Sequence, residues 1–136
     1  MEADCPFCEI VAGEDAAHEL YRTDDAMAFL DANPAVEGHT LVVPTNHCEE
    51  LATAEDPTRR AVFGAVARIS DALDRALDPD GFSVFHTSGP LVGSVTHAHV
   101  HVVPREVDDA ISLSLDRRDL EPAQGEAVAE RIRETI

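Results

Sequence analysis

Lysine is absent from the 136 residues: all ten basic side chains are arginine, set against 27 Asp and Glu, for a formal charge of −17. That shortage of positive charge excludes the Lys/Arg footprint which nucleic acids and anionic membranes require of a partner. The acidity reads as a solvated surface or, more sharply, as adaptation to a very salty cytoplasm, where self-repulsion is screened over about 3 Å at 1 M salt. We adopt the salt-adapted reading. A run of 18 or more apolar residues is also missing, and the start Met1-Glu2-Ala3-Asp4 has neither a basic nor an apolar leader segment, so a soluble cytoplasmic protein is expected. Three cysteines, Cys5, Cys8 and Cys48, are an odd number, which disfavours a disulfide framework and favours metal or redox use. Internal repeats, low-complexity tracts and Gly/Ser linkers are lacking too, so one domain over residues 1–136 is expected. What is present suffices for a core: 44% of the residues are hydrophobic, enough to offset the entropy of ordering despite the charge.

Patterning divides the chain into short strands around one long helix. A short helix is expected over Phe7 to Ala12, stopped by Gly13, then strands over Leu20 to Thr23 and Ala26 to Asp31. The β-branched run His39 to Pro44 reads as a third strand. The long helix follows, with Asp56 as its cap, Pro57 at its first position, and Val62, Val66, Ile69, Leu73 and Leu77 on one face. Asp78-Pro79-Asp80-Gly81 ends it. Phe82 to His86 and His97 to Val103 read as strands four and five, and a C-terminal helix is expected within Leu120 to Ile136. The fold class is α+β, with a five-stranded, mainly antiparallel sheet.

The fifth strand carries the chemistry. Alternate residues of a strand share a face, so His97, His99 and His101 line one side, with neighbours about 6.6 Å apart. A neutral imidazole attacks phosphorus well, and the product is labile enough for water to cleave. The middle residue, His99, is best placed for this. His101 beside it and the loop around Gly93-Ser94 are candidates for a proton donor and for backbone N–H groups aimed at developing charge. Alternatively, a His-x-His pair with a third ligand holds a catalytic zinc with an open position for water. His18 reads as a surface residue, and His86 as either packing or a substrate contact.

Cys5-Pro6-Phe7-Cys8 has the two-residue gap that lets both sulfurs bind one tetrahedral ion, and it supplies half a site. His47, just after the third strand, and His97 complete a closed structural zinc site, with Cys48 as a lower-ranked competitor. A redox thiol pair is the other reading, although no thioredoxin-like βαβ context surrounds the motif.

The run His97-Ala98-His99-Val100-His101-Val102-Val103 resembles the signature of the histidine-triad (HIT) family. Cys5-Pro6-Phe7-Cys8, Ala28-Phe29-Leu30-Asp31, Gly38 to Pro44 and His47 are similar to its zinc-containing microbial branch. The resemblance covers residues 5 to 105, leaving 106–136 as a C-terminal extension. It implies a homodimer acting on nucleoside phosphates at the α-phosphorus, with His99 as the nucleophile of a covalent nucleotidyl intermediate. It further implies that His101 binds phosphate and assists the leaving group, that His39 orients His99 from behind, and that Asp31 takes the ribose hydroxyls. Phe7, Ile10, Phe29 and Ala32 match positions lining the family's purine pocket. The loop before the triad departs from the pattern: Thr87-Ser88-Gly89 and Gly93-Ser94-Val95-Thr96 lack the usual Asn and Gln, and the loop is one residue shorter. A non-enzymatic nucleotide-binding module is the reading which that departure motivates.

Overall fold

The computed structural model describes residues 4–91, 93 and 95–136. In chain order it contains α1 (Pro6–Val11), β1 (Glu19–Arg22), β2 (Ala26–Leu30), β3 (Thr40–Pro44), α2 (Asp56–Leu77), β4 (Gly81–Phe85), β5 (Val100–Arg105) and α3 (Pro122–Arg133), with short 3-10 turns at Leu51–Thr53 and Gly89–Leu91. The five strands form one antiparallel sheet in the order β1-β2-β3-β5-β4, an α+β architecture as expected from the patterning.

Both faces of the central strands are covered, so β2 and β3 read as continuous apolar runs rather than alternating ones. Ala26, Ala28, Val42, Val100 and Val102 turn to one face, where α2 lays Val62, Ala65, Val66, Ile69 and Leu73 against them. Met27, Phe29, Leu41 and Val43 turn to the other, where α1 brings Phe7 and Cys8. The expected apolar face of the long helix is therefore the buried one. Its start lies one residue earlier than expected: Glu55 is the cap and Asp56 is already helical, paired with Arg59. Asp78 closes the helix in the left-handed conformation at φ 49°, which an aspartate tolerates better than most residues.

The histidine strand is shorter at its start than its sequence suggested. β5 begins at Val100, so His97 and His99 precede it on an irregular segment, and Pro104 lies within it. The proline is tolerated because pairing with β3 ends at Thr40 opposite Val102, leaving β4 as the only neighbour at that point. Beyond the sheet, Arg105 grips Asp109 through two bonds of 2.6 and 2.9 Å and donates to the Ile111 carbonyl, fixing the chain's exit. The guanidinium holds the Asp109 carboxyl well below the usual carboxylate range. From there the chain runs without regular structure to α3, which has no buried residue and leaves Val128 and Ile132 exposed.

Gly38, at the entry to β3, has φ +88°, and a Cβ there would meet Leu77 Cδ1 at 2.6 Å. Strain and overlap act together, so Gly38→Ala is expected to cost about 2 kcal/mol or more. The melting midpoint of the variant should fall by roughly 7 °C or more; an unchanged midpoint would mean that the contact relaxes freely.

Candidate functional site

Two clusters of titratable side chains form where β3 and β5 run past their pairing. The register that sets Val42 opposite Val100 continues outward and brings the stretch after Pro44 beside His97. Ala98 N–H donates to the Cys48 carbonyl at 2.7 Å, locking the two segments together. Cys5 caps α1, accepting from Cys8 N–H at 3.4 Å, and Pro6 opens the helix, so one turn carries both sulfurs to the same side.

The result is a tight group of Cys5, Cys8, His47 and His97, whose ligand atoms all lie within 4.8 Å of one another. His97 Nδ1 lies 3.3 Å from Cys5 Sγ and 3.5 Å from Cys8 Sγ, and His47 Nδ1 lies 3.5 Å from Cys8 Sγ. A tetrahedral zinc with ordinary Zn–S and Zn–N bonds sets such S···N edges at about 3.6 Å. The donor set fits. His97 Nε2 donates to the Pro44 carbonyl at 2.8 Å, which leaves Nδ1 unprotonated and aimed at the sulfurs. Burial pushes the Cys5 thiol up and the His97 imidazolium down, so a dication would bind with loss of a proton from Cys5. Cys48 is not part of this group: it packs on the α2 side of the sheet.

The second group is Asp31, His39 and His101. Asp31 and His39 meet at the base of the β2–β3 loop, where Asp31 N–H donates to the His39 carbonyl. His101 lies in β5 between Leu41 and Phe85, and its ring stacks on Phe85 at 4.5 Å and 14°. Backbone partners dictate where the protons sit, because an amide only donates and a carbonyl only accepts. Ala35 N–H donates to His39 Nδ1 at 3.0 Å, so in neutral His39 the proton is on Nε2. That Nε2–H donates to His101 Nδ1 at 2.9 Å, with Asp31 Oδ2 at 3.4 Å. His101 therefore carries its own proton on Nε2, as a donor. A metal ion on His39 Nε2 would force the proton onto Nδ1, against the Ala35 N–H, so this group fits a proton relay better than a cation.

The implied contact of His39 with His99 is not made: His39 orients His101 instead. His99 is fixed by its own segment, with Nδ1 donating to the His97 carbonyl at 2.8 Å, which leaves Nε2 as an acceptor with no partner among the described residues. The His99 and His101 rings lie 5.1 Å apart, closer than same-face neighbours of a regular strand, because His99 precedes β5. Burial, and then repulsion from His99 and His39, pushes the His101 imidazolium down to about 4, so His101 is neutral at ordinary pH.

Both rings border a cavity of about 950 Å³. Phe7, Ile10, Phe29, Asp31, Ala32, Gly93, His99 and His101 all line it, whereas His39 sits behind. Ser94 lies outside the described residues. Asp31 Oδ1 accepts from Asn33 N–H at 2.8 Å, which fixes the carboxylate at the rim. Sequence reasoning missed Asp15, Ala16, Ala17 and His18, which form a further wall. Nothing in their local pattern signals this: the segment is drawn in because Leu30 N–H donates to the His18 carbonyl, a long-range bond.

A HIT domain model matches residues 12–108. The chain is 34% identical over 123 residues to the adenylylsulfatase HINT3 of Arabidopsis thaliana, covering 88% of this chain and 62% of that protein, so it spans about three fifths of that relative. It is 26% identical over 134 residues to the adenosine 5'-monophosphoramidase hnt1 of Schizosaccharomyces pombe, covering 97% and 98% of the two chains. Among solved structures, a HIT family member from Bacillus subtilis superposes with a TM-score of 0.91 at 29% identity, over 98% of this chain and 97% of that one. A Zn-bound histidine triad family protein from Mycobacterium smegmatis does so with a TM-score of 0.74 at 30% identity, over 98% of each. The matched stretch begins just after α1 and takes in the whole sheet with His99 and His101, and on that ground the chain belongs to the HIT domain family.

Proposed function

We propose that the protein is a nucleotidyl hydrolase or transferase that acts at the α-phosphorus of nucleoside phosphoramidates or dinucleoside polyphosphates. The observation that carries this reading is the pair of opposite tautomers at the cavity: His99 offers a bare Nε2 and His101 offers an Nε2–H, with their rings 5.1 Å apart. The adenylyl compounds named for two relatives, a sulfate and an amidate, support the same bond class.

In the first step the His99 Nε2 lone pair bonds to phosphorus while the bond to the leaving group breaks, and the leaving group departs with that electron pair and takes up a proton. The positive charge gained by the His99 ring is offset by its Nδ1–H bond to the His97 carbonyl. The His101 Nε2–H meets a phosphoryl oxygen, and the backbone N–H of Gly93, which lines the cavity, supplies a further donor. Water then attacks phosphorus and gives up a proton to solvent, which balances the one the leaving group took from solvent, and the P–N bond to His99 breaks to release the nucleoside monophosphate; another acceptor in place of water makes the reaction a transfer. Phe7, Ile10, Phe29 and Ala32 receive the purine, and Asp31 accepts from the ribose hydroxyls. Cys5, Cys8, His47 and His97 hold a structural zinc, whose chemistry is to cross-link α1 to the segments flanking β3 and β5. The working unit is a homodimer, a reading supported by exposed Phe63 on α2, Val84 and Phe85 on the edge strand β4, and the apolar residues of the C-terminal extension. The charge of −17 supports a salt-adapted protein, so the measurements below are set in molar salt.

His99→Ala should lower AMP release from adenosine 5'-phosphoramidate by at least about a thousandfold, and rapid quenching of the wild type should trap a nucleotidyl group on His99. Nucleotide binding seen by calorimetry without turnover or adduct would instead favour the non-enzymatic module. Chelation should lower the melting midpoint by about 10 °C and remove activity in parallel. Loss of activity with an unchanged midpoint would assign the ion to catalysis.

The His101 shift makes a pH prediction. Its folded value of about 4 lies below the ordinary value of 6.5, so as pH falls the unfolded chain takes up this proton first. Stability from this residue is fully present above 6.5 and is lost on descending to about 4. Between pH 7.5 and 5, zinc-loaded His101→Gln should therefore lose less melting temperature than the zinc-loaded wild type; equal losses would mean that His101 titrates normally.

A further inference from the structure

The β4–β5 ladder ends with Phe85 opposite His101, and β5 begins at Val100, so the segment that carries His99 lies outside the sheet. A backbone with no ladder partner needs other bonds to hold one position. On the β3 side these are the His97 ring on the Pro44 carbonyl and Ala98 N–H on the Cys48 carbonyl. On the β4 side the His99 carbonyl accepts from His86 Nδ1–H at 3.1 Å. A side chain thus continues the work of the ladder at the point where the two strands part and Thr87 and Leu91 turn off to line the cavity.

That bond has a structural drawback. With the proton on Nδ1, His86 Nε2 is a bare acceptor; it is buried, and among the described residues it has no partner. A buried acceptor without a donor destabilises a fold, and an apolar side chain of similar size would avoid the loss. Packing alone therefore gives no reason for a histidine at this position, whereas the bond to the His99 carbonyl does.

We infer that His86 is a positioning residue that clamps the main chain of His99 from the β4 side and so holds the His99 ring in its attacking orientation. The inference rests on reading His99 as the nucleophile. A misplacement of about 1 Å in a reacting group costs up to about a hundredfold in rate, so the effect belongs in kcat.

The test compares His86→Leu, which removes both ring nitrogens, with His86→Asn, whose amide restores a donor where Nδ1 stood and leaves Nε2 unreplaced. Both are assayed with adenosine 5'-phosphoramidate as zinc-loaded protein in high salt. His86→Leu should lower kcat by about tenfold or more and leave KM within about threefold, with no fall in melting temperature; His86→Asn should recover kcat to within about threefold of wild type. Nitrogen-15 NMR of the histidine rings gives a readout independent of turnover. Wild type should show His99 as a single Nδ1–H tautomer, the leucine variant a mixture or a broadened signal, and the asparagine variant the single form again. An unchanged His99 signal with kcat within about twofold of wild type in His86→Leu would overturn the inference. So would a loss that asparagine fails to restore, or one that tracks a lower melting temperature in both variants. A wild type that turns over no nucleotide yet shows the expected ring signals in all three proteins would refute His99 as nucleophile while upholding the clamp.

Discussion

His97 ties the cysteine cluster to His99, which borders the cavity. Its Nδ1 faces the two cysteine sulfurs, its Nε2 donates to the Pro44 carbonyl, and its own carbonyl accepts from His99 Nδ1. The residue is fully buried, and each of these bonds is directional, so the ring cannot turn without breaking at least one of them. The position and tautomer of His99 follow from a residue two places earlier, and that residue is in turn set by β3 and by α1. Removal of the His97 ring would leave Cys5 without its imidazole partner and Cys8 with His47 alone, and would leave Ala98 N–H on the Cys48 carbonyl as the remaining hydrogen bond described from the His99 segment to the β3 side.

The same residue types serve two different ends a short distance apart, and the hydrogen bonds from the backbone decide which. At His97 a carbonyl takes the proton of the ring's outer nitrogen, leaving a lone pair for a cation. At His39 an amide occupies the inner nitrogen, which forces the proton outward to His101. One arrangement makes a ligand and the other a relay. Desolvation reinforces the second, since burial and neighbouring imidazoles keep His101 neutral and so preserve its Nε2–H as a donor.

Much of this was legible along the chain because it depends on short-range pattern. The apolar face of α2 follows from helical spacing, and the joining of Cys5, Cys8, His47 and His97 follows from a two-residue gap plus two histidines flanking strands. The alternation of His97, His99 and His101 was legible as residues and misleading as geometry: β5 starts only at Val100, because the segment before it bonds to the Cys48 carbonyl and to side chains rather than to a strand. The partner of His39 was not legible either. It depends on the β3–β5 register, which sets Leu41 opposite His101, and on an amide at Ala35 that no pattern advertises. His18 and His86 fall into the same class: each gains its place from a bond to a residue 12 or 13 positions away.

The first helix is only six residues long, far below the length at which a helix persists alone in water. It is capped by one member of the cysteine pair and includes the other, while Phe7 between them lines the cavity and packs edge-on against His99 at 5.1 Å. One turn of helix is thus a wall of two different sites. By thermodynamic reciprocity, an ion that steadied that turn and so raised affinity for a molecule against Phe7 would have its own affinity raised by that molecule by the same factor. Metal supply to such a protein would then be read out as occupancy of its cavity.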